Sequence, residues 1–68
     1  MEKSTALAIV PGQTVTVKTA TRDGAMSIPT GSYTVTANNG NGTLKIILGT
    51  LPGSNQVVEV TVSYTDLQ

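Results

Sequence analysis

The chain has 68 residues, four basic and four acidic side chains, and neither cysteine nor histidine. That length holds one domain, and a net charge of zero provides no long-range field to gather nucleic acid or an anionic membrane. Without cysteine there is no disulfide framework and no thiolate metal site, and no cofactor is expected.

The longest apolar run, residues 6–10, falls far short of the roughly 20 residues of a bilayer span. It is also short for a secretory h-region of about 7–15 residues, and Glu2 cancels Lys3 where a positive n-region is needed. Met1 is therefore read as the native start of a protein made in the cytoplasm without a signal peptide. Twelve threonines and eight valines stand against five leucines. β-branched side chains pack well on a pleated surface, so this composition favours sheet.

Residues 1–10 are expected to form a first strand or an extended arm, with Leu7 and Ile9 on one face. Pro11-Gly12 supplies a turn. Residues 13–20 alternate, Val15 and Val17 against Thr14, Thr16 and Lys18, which is the period of a half-buried strand. Asp23-Gly24 is a tight hairpin signal, and residues 25–28 form a short return strand ended by Pro29. Residues 32–37 alternate again, with Tyr33, Val35 and Ala37 facing one way. The Asn/Gly run 38–42 is the clearest loop, because both residue types tolerate left-handed backbone angles.

Residues 43–48 form the most apolar strand, with Leu44, Ile46 and Leu48 on one face and Ile47 on the other. A turn-rich connection, 49–55, leads to a long strand over 56–65 that alternates Val58, Val60, Val62 and Tyr64 with Val57, Glu59, Thr61 and Ser63. No window carries a helical period, so essentially no helix is expected. The pattern predicts an all-β single domain over 1–68: a five- or six-stranded antiparallel barrel or a two-layer sandwich. Its expected core is Leu7, Ile9, Val15, Val17, Met26, Ile28, Tyr33, Val35, Leu44, Ile46, Leu48, Val58, Val60, Val62 and Tyr64.

The inventory argues against catalysis. A serine or threonine nucleophile needs a base, and no histidine or cysteine is present. Lys18 and Lys45 fall at polar-face positions, where a solvated ammonium is the default. The 38–42 loop has no carboxylate, so turn chemistry accounts for it better than calcium binding. Asn41-Gly42-Thr43 matches the N-glycosylation pattern, which without a secretion signal is read as accidental. Binding of single-stranded nucleic acid would need stacking aromatics on a basic groove. Tyr33 and Tyr64, the only aromatics, both fall on apolar faces, so nucleic acid is not an expected partner.

So small a sheet lacks the usual braces of small domains and is expected to find support in oligomerisation or in docking on a larger partner. Leu7 and Ile9 in the N-terminal arm, with Ile47, Leu51 and Val57, are the candidate contact residues. Alternatively, Ile47, Leu51 and Val57 complete a two-sided core.

The phrases Gly12-Gln13-Thr14-Val15-Thr16-Val17, Gly31-Ser32-Tyr33-Thr34-Val35-Thr36-Ala37 and Val60-Thr61-Val62-Ser63-Tyr64 resemble strands of bacterial and phage immunoglobulin-like modules. The resemblance implies an Ig-like or truncated sandwich in which Tyr33 is the tyrosine corner, its hydroxyl tied back to the backbone. The chain departs from that pattern in being shorter than about 100 residues and in lacking tryptophan. Modules of this kind decorate virus particles. The resemblance therefore implies a non-catalytic subunit of a phage capsid or tail, incorporated into the virion, with copies of itself or the larger assembly as partners. Two other expectations stand beside it: a small β-barrel regulator that binds nucleic acid or a ligand, and a module of an adhesive surface protein. No membrane association is expected.

Overall fold

Apolar residues at alternating positions, many of them β-branched, give the strands of the main sheet one apolar face, and burying those faces together assembles the sheet. The computed structural model describes residues 1–68. It contains α1 (Lys3–Leu7), β1 (Thr14–Val17), β2 (Thr21–Asp23), β3 (Met26–Ile28), β4 (Gly31–Asn38), β5 (Thr43–Thr50) and β6 (Val57–Ser63), then a 3-10 turn, Tyr64–Asp66. The chain is an all-β domain with a single short helix. Four strands form an antiparallel sheet in the order β1-β4-β5-β6, and β2 pairs with β3 as a separate hairpin. Gly24 turns that hairpin with φ 59°, at the first central position, where a type II′ turn requires glycine.

The core comprises Ala6, Ile9, Val15, Val17, Ile28, Val35, Leu44, Ile46, Val60, Val62, Tyr64 and Leu67. Tyr33, Leu48 and Val58 are half-buried against it. Two expected core residues are corrected: Leu7 and Met26 are exposed. Two unexpected ones, Ala6 and Leu67, are completely buried.

Residues 1–10 are neither a strand nor an extended arm. Lys3–Leu7 is helical, and helical geometry turns Ala6 inward and Leu7 outward. No side chain caps the N-terminus of this helix, and five residues are too few to be stable through propensity. Tertiary contacts hold it instead. Ala6 and Ile9 enter the core, and the Met1 ammonium donates to Leu67 O at 2.5 Å.

The decisive contact comes from Asn38, and a β-bulge puts it there. Val35 faces Ile46, but Ala37 faces Lys45 and Asn38 faces Leu44, so Thr36 is an extra residue in β4. The insertion reverses the side-chain parity. Ala37, expected on the apolar face, joins exposed Lys45 on the outer one, while Asn38 turns toward buried Leu44 and the core. There its Nδ2 donates to Ala6 O at 2.8 Å and Ile9 O at 3.0 Å, carbonyls at the helix end. Its Oδ1 accepts from the Tyr64 hydroxyl and from Gly40 N–H. Both amide donors and the acceptor oxygen are thus used. The bulge also leaves the Thr36 hydroxyl buried without a hydrogen-bond partner.

Candidate functional site

The outer edges of the sheet and the free end of the β5–β6 hairpin set the possible contact surfaces. After the 3-10 turn the chain crosses to β1 and pairs with its outer edge: Lys18 N–H donates to Asp66 O at 2.8 Å and Gln68 N–H to Thr16 O at 2.9 Å, with Val17 opposite Leu67. β1 therefore offers little main chain to a partner.

β6 is different. Thr61 N–H points away from β5 and donates to Asp23 Oδ2 at 2.9 Å, a side-chain contact from the β2–β3 hairpin. With a period of two, the main-chain groups of Val57 and Glu59 point to the same side. They have no partner there. Met26, the register partner of Asp23, is exposed near this edge.

β5 carries eight residues and so runs about 27 Å at ~3.4 Å per residue, which accounts for much of the 39 Å long axis of the molecule. Its first half packs in the core through Leu44 and Ile46. Its second half is looser. Ile47 pairs with Glu59 and Gly49 with Val58, so Leu48 is the extra residue of a second bulge, and beyond it Gly49, Thr50, Leu51 and Val57 are exposed. Leu51 N–H donates to Gln56 O at 3.0 Å, which keeps the hairpin closed to its tip.

Of the residues predicted as contacts, three lie on this hairpin, and two of them share a face. Ile47 and Val57 share the outer face of the hairpin, Ile47 half-buried and Val57 49 % exposed. Leu51, 46 % exposed, follows Val57's partner Thr50, and strand alternation turns it to the other face at the hairpin's end. Lys45 and Glu59 on the same face balance one another in charge, so apolar area and strand edge dominate what it presents.

The other two residues are not in this group. Ile9 is 6 % exposed and belongs to the core, so it is withdrawn as a contact residue. Leu7 is exposed on α1, but its carbonyl lies near Asn38, at the opposite end of the long hairpin from Leu51. Tyr33 is half-buried, and its hydroxyl donates to Pro29 O at 2.6 Å, four residues upstream. Tyr64 is buried and its hydroxyl is held by Asn38. Asp23 and Met26 were missed at this surface. Asp23 reads in sequence only as a turn residue, and its reach to β6 depends on where the β2–β3 hairpin docks.

No pocket opens on the surface, and no three acidic residues converge. No helix is long and apolar enough to cross a membrane. In comparisons with known proteins, no family model, curated protein or solved structure matches the chain.

Proposed function

We propose that the chain is a non-catalytic structural subunit that docks on a large repetitive assembly, a phage capsid or tail, through the free end of its β5–β6 hairpin. The observation that carries this reading is the coincidence of two features in one place. Ile47 and Val57 present apolar area on one face of the hairpin, with exposed Leu51 at its end, and the adjoining edge of β6 at Val57 and Glu59 has unpaired main-chain groups. An unpaired edge beside apolar side chains suits strand addition: the partner's backbone gains ladder hydrogen bonds, and side-chain contacts set the register. Repetition in the assembly multiplies one modest contact, so a small patch is sufficient.

The experiment follows a tagged chain in the cells that make it. Particles from lysed cells are banded by density, and wild-type chain travels with them. The double variant Leu51→Lys, Val57→Lys, folded by circular dichroism, stays at the top of the gradient. Wild-type chain that remains at the top would end this reading.

A further inference from the structure

The loop between β4 and β5 contains two Asn-Gly pairs, Asn39-Gly40 and Asn41-Gly42, and both asparagines are exposed. An asparagine followed by glycine is open to attack on its own side chain, because glycine leaves the next backbone nitrogen unhindered. The two pairs differ in their hydrogen bonds.

At the first pair, Gly40 N–H donates to Asn38 Oδ1 at 3.3 Å, which occupies the nitrogen that would attack. Asn39 N–H donates to Thr43 O at 3.1 Å, and its side-chain Nδ2 donates to Thr43 Oγ1 at 3.0 Å. No donor reaches the Asn39 side-chain oxygen, and so nothing there would stabilise negative charge as it develops.

At the second pair the arrangement is reversed. Gly42 N–H has no partner. Asn41 Oδ1 accepts from Thr43 N–H at 3.2 Å and from the Thr43 hydroxyl at 2.7 Å. Two donors on the amide oxygen polarise Cγ and stabilise the oxyanion of a tetrahedral intermediate.

We propose that Asn41 is a self-modification site, which deamidates through a succinimide in preference to Asn39. The Gly42 nitrogen loses its proton to solvent base and attacks Asn41 Cγ, forming the N–Cγ bond. The Cγ–Nδ2 bond then breaks, and the amide leaves as ammonia carrying a proton from water. Water next opens the ring at either carbonyl, giving aspartate or isoaspartate. Each product adds one negative charge to a chain whose formal charge is zero. The isoaspartate route also lengthens the backbone next to Gly42, whose carbonyl accepts Tyr64 N–H at 2.9 Å.

The test incubates the purified full chain at mildly alkaline pH and follows both positions by peptide mass spectrometry, with isoaspartyl methyltransferase labelling to separate the two products. Asn41 is modified ahead of Asn39, and faster at higher pH. Thr43→Val keeps the strand residue β-branched and removes one donor from Asn41 Oδ1. It slows the Asn41 reaction by roughly two- to tenfold, the equivalent of one hydrogen bond. Circular dichroism and a denatured control separate these effects from unfolding. Modification of Asn39 first, equal rates at the two positions, no slowing in Thr43→Val, or modification only in the denatured control would each overturn the proposal.

Discussion

Along the outer edge of β1, Lys18 and Thr19 donate to Asp66 O and Thr16 accepts from Gln68, whereas along the outer edge of β6 only Thr61 has a partner, and that partner is a side chain. Both edges belong to one sheet and carry the same Thr- and Val-rich pattern. Edge chemistry therefore does not explain the difference; chain connectivity does. After β6 the chain runs to β1, and Leu67 fixes it there by filling the core. No further segment reaches the far end of β6.

The difference also determines where the docking proposal places its partner. The accessible surface is 4067 Å², against about 4,000 Å² expected for a folded monomer of this mass. The chain thus exposes no excess surface overall. The apolar residues of the hairpin end and the open stretch of β6 are a local feature, and the docking proposal rests on them rather than on a general shortage of core.

Substitutions on the closed side are expected to have the largest effects. Leu67→Ala empties a fully buried position and unpins the cover of β1, lowering stability by about 2–5 kcal/mol in chemical denaturation. Asn38→Ala leaves Ala6 O, Ile9 O and the Tyr64 hydroxyl without their partner, for a loss of about 2–3 kcal/mol and of the α1 helix signal in NMR. If Asn38→Ala is neutral, α1 is held by the apolar contacts of Ala6 and Ile9 and by the Met1 ammonium.

The open side should respond through association more than through stability. Asp23→Ala removes one exposed hydrogen bond and costs about 1 kcal/mol or less. It frees Thr61 N–H, so the open edge lengthens and self-association in sedimentation velocity rises. Leu51→Lys and Val57→Lys change stability by no more than about 0.5 kcal/mol, because neither side chain is buried, yet they abolish recovery on particles.

Much of the sheet is legible in the sequence. Alternation at Val15 and Val17, at Leu44 and Ile46, and at Val58, Val60 and Val62 gives the inward faces, and Asp23-Gly24 gives the small hairpin. The reading fails at Asn38 because a bulge leaves no mark on periodicity. Tyr33, Val35 and Ala37 continue an unbroken pattern, and only the pairing with β5 reveals the extra residue, Thr36. It fails at residues 3–7 because so short a helix has no period to detect, and its docking on Asn38 decides its conformation. Leu67 carries no signal of its burial because it lies beyond the last strand, outside any alternating pattern. Of the candidate surface, the exposure of Leu51 and Val57 is legible as apolar residues at positions expected to be polar, while the hydrogen bond from Thr61 to Asp23 at the edge of β6 depends on tertiary structure.

Amide hydrogen exchange measured residue by residue, on the isolated chain and on chain bound to particles, compares the two edges directly. Lys18 and Gln68 should be protected in both states, while Val57 and Glu59 exchange freely in dilute solution and become protected only on the particle. Val57 and Glu59 amides already protected in the isolated monomer, or unchanged by binding, would contradict the account.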